Sequence, residues 1–304
     1  MEPAVALAAA ALAALAIAAA PQPSPSAAAP QRGSTLPLAP FTPRPHLVGD
    51  ALDYSLRGTL SQAIAGHDQF GRAIAQPAVP TDLEGRERVA VKAVDAQGLS
   101  LHRSGTIVAT FKGRSSPSQT GAGWTLVTPQ GEVRDRKGST LGGLFLLPLA
   151  FMADRAVNGG ALPVVGERWT AKLGMALFGM TAQPRLRFHV IGTRQIFGVV
   201  VYTLSATGTA PVREPVVTND GVALGDAVGT SRVLLHCDYD PAQRRAVSMD
   251  ILVAADLRIG AHEKARGSVT ERQHYLVALD TASFEARRKS VDPRAPKATS
   301  SPTP

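Results

Sequence analysis

Cysteine is nearly missing from this chain. Cys237 is the only one in 304 residues, so no internal disulfide can staple the fold. It shares a predicted strand face with Val233, Leu235 and Tyr239. That setting suits a small buried hydrophobe better than a reactive thiol. No cysteine follows the N-terminal apolar run, which excludes a lipid attached at a lipobox. Aromatic residues make up 5%, and no segment interleaves them with basic residues, so the base-stacking surface of a nucleic-acid binder is missing. There is no phosphate loop, dinucleotide fingerprint or Gly-x-Ser-x-Gly elbow.

The histidines are scattered along the chain. His262-Glu263 lacks the second histidine of a helical zinc motif. His236 and Asp238 share a strand face, but a metal would need a third ligand from elsewhere. Asp280-Thr281-Ala282-Ser283 looks like the turn of aspartic proteases, yet only a polar tail follows it. It reads as a strand end. The sequence therefore assigns no catalytic residue, no metal ligand and no cofactor.

What the chain does have starts at Met1. An apolar run from Ala4 to Ala20 follows a single acidic residue, Glu2, and gives way to the Pro/Ser/Ala stretch Pro21–Pro30. This is the pattern of a secretory signal. Small residues at Ala16 and Ala18 place cleavage before Ala19. A retained single-span anchor is the rival reading, although the run falls a little short of the roughly 20 residues a bilayer core requires. The expected organisation is a signal peptide at 1–20, a Pro/Ala/Ser-rich linker at 21–46, a β-rich globular domain at 47–284 and a basic, disordered tail at 285–304. The protein would be exported, to a periplasm or the exterior.

The formal charge is +8 and the pI about 10.0. With export expected and base stacking excluded, this points to anionic envelope surfaces as a partner and away from nucleic acid. Contact with a membrane would be peripheral at most, unless the N-terminal segment is retained.

The body alternates with period two. Leu52, Tyr54 and Leu56 alternate with Asp53, Ser55 and Arg57. Leu186, Phe188 and Val190 alternate with Arg187 and His189. Val247 through Ile259 alternate over one long strand. Asp95–Gly98, Thr128–Gly131 and Asp240–Gln243 carry turn chemistry between such runs. The expected fold is mainly β, a curved antiparallel sheet (half-barrel or sandwich) of roughly ten strands joined as hairpins. The compact apolar block Ser139–Val157 suits one helix packed on that sheet, with Pro148 kinking it or marking its first turn.

Directly after the block come Leu162-Pro163 and Gly166-Glu167-Arg168-Trp169, and later the hairpin Tyr239-Asp240…Arg245–Ser248. This arrangement resembles a group of uncharacterised secreted bacterial β-rich proteins. Those are similar to the half-barrel envelope carriers of the lipoprotein-localisation type, in which a curved sheet cups a helix and an apolar ligand. The resemblance implies a fold and a binding role, and no catalytic residue.

The expected function is non-catalytic, extracytoplasmic binding of an apolar small molecule between sheet and helix, with Leu144, Leu146, Phe151 and Trp169 as candidate lining or lid residues. A structural or interaction module of the cell envelope is the alternative. A hydrolase assembled from dispersed residues is the third reading.

Overall fold

The computed structural model describes residues 43–280, apart from 69, 117–118, 136–145, 154–157, 173–174, 178–179, 183, 219–222 and 261–265. The segments expected as signal peptide and tail, and most of the expected linker, therefore lie outside the described residues. The described chain is mainly β, with almost no helix. Its strands are β1 (Ala51–His67), β2 (Ala73–Gln76), β3 (Thr81–Asp95), β4 (Gly98–Phe111), β5 (Arg114–Ser115), β6 (Gln119–Val127), β7 (Val133–Asp135), β8 (Arg168–Lys172), β9 (Met175–Leu177), β10 (Met180–Ala182), β11 (Arg185–Ile196), β12 (Val199–Val217), β13 (Ala223–Asp240), β14 (Arg245–Ile259) and β15 (Arg266–Leu279). A five-residue helix, α1 (Leu146–Ala150), and a 3₁₀ turn at Asn158–Gly160 lie between β7 and β8.

Thirteen strands form one open antiparallel sheet, and β9 pairs with β10 apart from it. The sheet is larger than the roughly ten strands that periodicity suggests. Strands such as β2, β5 and β7, of two to four residues, are too short to show alternation. The order is β7-β6-β4-β3-β1-β15-β14-β13-β12-β11-β8, with β2 on β1 and β5 on β4. Two meanders of hairpins thus meet at the centre, where β1 pairs with β15 from Tyr54↔Leu279 to His67↔Arg266.

The turns follow from their residues. Asp95 and Gly98 close the β3–β4 hairpin as a cross-strand pair. The Asp95 carboxylate accepts a hydrogen bond from the Gln97 amide at 2.7 Å. Gly98 has φ +125°, and a Cβ there would lie 2.0 Å from the Val127 carbonyl oxygen, so no other residue fits. The Gly131 amide donates to the Thr128 carbonyl at 2.9 Å. Asp240 caps its turn by accepting from the amides of Ala242 and Gln243.

The helix is shorter than expected. Pro148 sits in its first turn, where its missing N–H costs nothing, and the chain leaves the helix at Ala150. The remainder of the Ser139–Val157 block is turn at Phe151–Met152 and bend at Ala153, or lies outside the described residues. Among the described residues no helix is long and apolar enough to cross a membrane.

The helix also reveals the sheet's curvature. It lies against both β7 and β14. Those strands are six positions apart in the sheet, which would separate them by roughly 29 Å if it were flat. A helix of five residues is only about 7.5 Å long. The sheet must therefore curl around α1. Leu149, Ala150, Phe151, Met152 and Ala153 are all 3% exposed or less. They join one core with Val133 of β7, Leu101 of β4, Phe188 of β11 and Tyr239 of β13.

Cys237 faces this core, 2% exposed and unpaired, and burial pushes its thiol pKa well up. Cys237→Ser should cost about 1–3 kcal/mol, because its hydroxyl would enter an apolar site. A thiol reagent should modify the folded protein far more slowly than the unfolded chain, and equal rates would contradict the burial.

A second, smaller core closes the other end of β12–β15, with Ile64, Val212, Leu257 and Val269. It encloses two carboxyl groups, Glu214 and Glu271, hydrogen-bonded to one another. The amide of Gln62 donates to Glu271. Burial first, and then the charge of Glu214, push the Glu271 pKa up to about 9, while burial raises that of Glu214. Between the ordinary glutamate value of 4.5 and about 9, the folded state thus holds a proton that the unfolded chain has released. Stability should fall as pH rises through this window, by at most about 1.4 kcal/mol per pH unit per proton. Glu271→Gln should flatten that slope in urea titrations from pH 5 to 9. A flat profile in the unaltered protein would contradict the assignment.

Candidate functional site

The residues expected to line a helix-side cavity have different fates. Leu144 lies outside the described residues, and Leu146 opens α1 but its side chain does not belong to the described set. Phe151 is fully buried. Trp169 is partly buried on β8 and stacks on Phe188, with ring centroids 5.1 Å apart and planes 7° apart. Phe188 in turn meets Phe151 edge-on at 6.1 Å, and Phe151 meets Tyr239 at 5.8 Å. The fold therefore brings Phe151 and Trp169 together through Phe188. Gly166, with φ +89°, turns the chain before β8. Its amide donates to the Val190 carbonyl, tying the turn to β11. On the helix side these rings pack against one another.

The large hollow is on the opposite face. A groove of about 1250 Å³ crosses β8, β11, β12, β13, β14, β15 and β1. A twisted sheet explains this: curled about α1 along one diagonal, it is hollow on its other face along the second. Most of the lining side chains are the alternates of core residues such as Leu186, Leu235 and Ile251, because successive strand residues face opposite sides.

Two cross-strand rows make the floor. The first runs Lys172–Arg185–Thr209–Arg232–Ala254–Arg272–Ser61. The second runs Thr170–Arg187–Thr207–Leu234–Leu252–His274–Thr59. No Asp or Glu lines the groove.

The charges are arranged unusually for a sheet. Several other arginines on this face have an acid within reach, Arg88 with Asp53, Arg57 with Glu84, Arg213 with Asp226 and, across the intervening β12, Arg194 with Asp238, whereas Arg86, Arg168 and Arg258 form no ion pair with a described residue. At the far end of the groove, Arg272 pairs with Asp256 at 3.2 Å and His274 with Asp250 at 2.8 Å. Lys172, Arg185, Arg187 and Arg232 have no acidic partner among the described residues. Lys172 and Arg185 are directly opposite each other, a like-charge pairing that costs stability. Packing gives no reason for that cost, whereas an anion lying between the two would offset it.

Sequence reasoning missed these residues by reading the basic charge as a whole-chain property. A local signal existed. No Asp or Glu occurs between Glu167 and Glu214, a stretch holding Arg168, Lys172, Arg185, Arg187, Arg194 and Arg213. Among the described residues no three His, Cys, Asp or Glu side chains are grouped so as to hold a metal ion.

No protein-family model matches the chain, and no curated protein matches it. One solved structure that it resembles is DynF, from the dynemicin biosynthesis pathway of Micromonospora chersina. The likeness has 6% identity and a TM-score of 0.24, and covers 85% of this chain and 92% of that one.

Proposed function

We propose that the protein is an exported, non-catalytic binding protein that takes an anionic ligand in the groove across β8 to β1. The observation that carries this reading is the set of four cations, Lys172, Arg185, Arg187 and Arg232, that have no acidic partner among the described residues, in a hollow whose described wall holds no acid. The volume, about 1250 Å³, exceeds the roughly 300–1,000 Å³ of most small-molecule sites. The groove is open, so the ligand lies along it rather than being enclosed. The apolar N-terminal run supports export, and an anionic ligand agrees with the chain's overall basic charge. The reading places the ligand on the face opposite the helix, where the groove and its cations lie.

The test uses dextran sulfate as a soluble polyanion, with the triple variant Arg185→Glu, Arg187→Glu, Arg232→Glu. The unaltered chain should bind it and weaken as salt rises. The variant should bind on the order of tenfold or more weakly, since each lost contact to a charged group is substantial. Arg185→Glu alone replaces a like-charge pair with an opposite one, so its thermal midpoint should stay level or rise while binding falls. Unchanged binding by the triple variant, or no binding by the unaltered chain, would overturn the reading.

A further inference from the structure

We infer that the groove's ligand is a single-chain anionic amphiphile, with its head group against Lys172, Arg185 and Arg187 and its chain over Leu234 and Leu252. The inference rests on the groove being the binding site, and it is carried by how polarity changes along the two rows.

At the β8–β11 end three cations converge. Lys172 is opposite Arg185, and Arg187 follows two residues along the same strand face. Three and four strands from β8, the floor becomes apolar. Leu234 of β13 and Leu252 of β14 are cross-strand partners, 37% and 41% exposed. Leu276 of β15, on the diagonal from Leu252, continues the patch at 48% exposure. The wet side of β14 otherwise carries Ser248, Asp250, Ala254, Asp256 and Arg258, so Leu252 is its one large apolar residue. Three adjacent strands thus each give a leucine to solvent, and the three adjoin. Arg232, next to Leu234, marks the border between the charged and apolar parts. Beyond the leucines, Arg272 is paired with Asp256, and the His274 ring lies within hydrogen-bond distance of Asp250. The sequence of environments is cationic, apolar, then partnered by acids.

A uniformly charged polymer would leave Leu234 and Leu252 uncovered, and a neutral lipid would leave the three cations unmatched. The leucines lie on the floor of a concavity that a flat bilayer cannot follow, so the occupant is a monomer and not a membrane surface. Strand spacing places Lys172 of β8 roughly 19 Å from Leu252 of β14, four strand separations, and Arg185 and Arg187 of β11 one separation nearer. An extended alkyl chain can bridge that separation.

The test titrates the full chain calorimetrically with alkyl phosphates of eight, ten and twelve carbons, each below its micelle concentration. Dextran sulfate, dodecyl maltoside and phosphatidylglycerol vesicles run in parallel. Affinity for the alkyl phosphates should rise about two- to fourfold per added CH₂. Leu234→Ser with Leu252→Ser should remove most of that increment and leave dextran sulfate binding unchanged. Arg185→Glu with Arg187→Glu should weaken both. Normal dextran sulfate binding with no dependence on chain length would overturn the amphiphile and leave the groove reading intact. Equal affinity for dodecyl maltoside and dodecyl phosphate would overturn the head-group assignment. Binding to vesicles but not to monomers would overturn the monomeric ligand. Dextran sulfate binding that is missing, or indifferent to the arginine changes, would overturn the groove reading itself.

Discussion

Phe188→Ala is expected to lower the unfolding free energy by about 3–5 kcal/mol, the upper range for deleting a buried aromatic ring. Phe188 is 2% exposed. It stands between Trp169 on the edge strand β8 and Phe151 just past the helix. Removing it opens a cavity that cannot readily collapse, because one neighbour is held in the sheet and the other by the turn after α1. It also removes two ring contacts, each worth about 0.5–1.5 kcal/mol beyond area. The loss should appear as a lower urea midpoint with little change in slope. Trp124 provides the control. It is 44% exposed on β6 and touches only the edge of His102 among the described rings. Trp124→Ala should cost far less. Similar losses from both changes would mean that the aromatic chain does not anchor the sheet to the helix.

Arg103→Met is expected to cost a comparable amount, about 3–5 kcal/mol, for an electrostatic reason. Arg103 of β4 and Glu87 of β3 form an ion pair whose side chains are both 0% exposed. Thr125 of β6 accepts a further hydrogen bond from Arg103 at 3.3 Å. Removing the guanidinium takes the Arg103 charge away from the buried Glu87 carboxylate. Replacing both residues by apolar ones of similar volume should recover most of the loss, since a well-packed apolar pair is often as stable as a buried ion pair. If Arg103→Met were as mild as a surface change, or if the double replacement were no better than the single, the pair would not be desolvated as described.

The sheet was legible in the sequence wherever one face is dry and the other wet. Val247–Ile259 keep their period over the whole length of β14, and every second side chain does enter the core. The turns were legible too, because Asp95, Gly98 and Asp240 satisfy backbone groups or φ values that few other residues can. The polar core was not. Glu87, Arg103, Glu214 and Glu271 occupy inward positions where alternation calls for apolar residues, and a single chain does not show which charges will meet across strands. Within the apolar block at 139–157, where the helix stops was not legible: Phe151–Ala153 turn away after Ala150. Leucine-rich runs suit helix and buried turn alike, and length alone did not separate them.

The groove was illegible for a different reason. Its residues occupy the face that period-two reading assigns to solvent, where a lysine or an arginine normally passes as an ordinary wet residue. Only register puts Lys172 opposite Arg185 and Leu234 opposite Leu252. On β13–β14 register depends on the bulge at Asp238/Tyr239, and between β8 and β11 on a pairing that skips β9 and β10, neither of which a one-dimensional pattern contains. The acid-free stretch between Glu167 and Glu214 was the one local trace of it.

The most direct measurement of the central claim is a crystal structure of the protein with dodecyl phosphate. The account predicts the phosphate within hydrogen-bond distance of Arg185 and Arg187 and the alkyl chain against Leu234 and Leu252, on the face away from α1. A ligand lodged instead between α1 and the sheet, against Phe151 and Met152, would contradict it, as would an empty groove at saturating ligand.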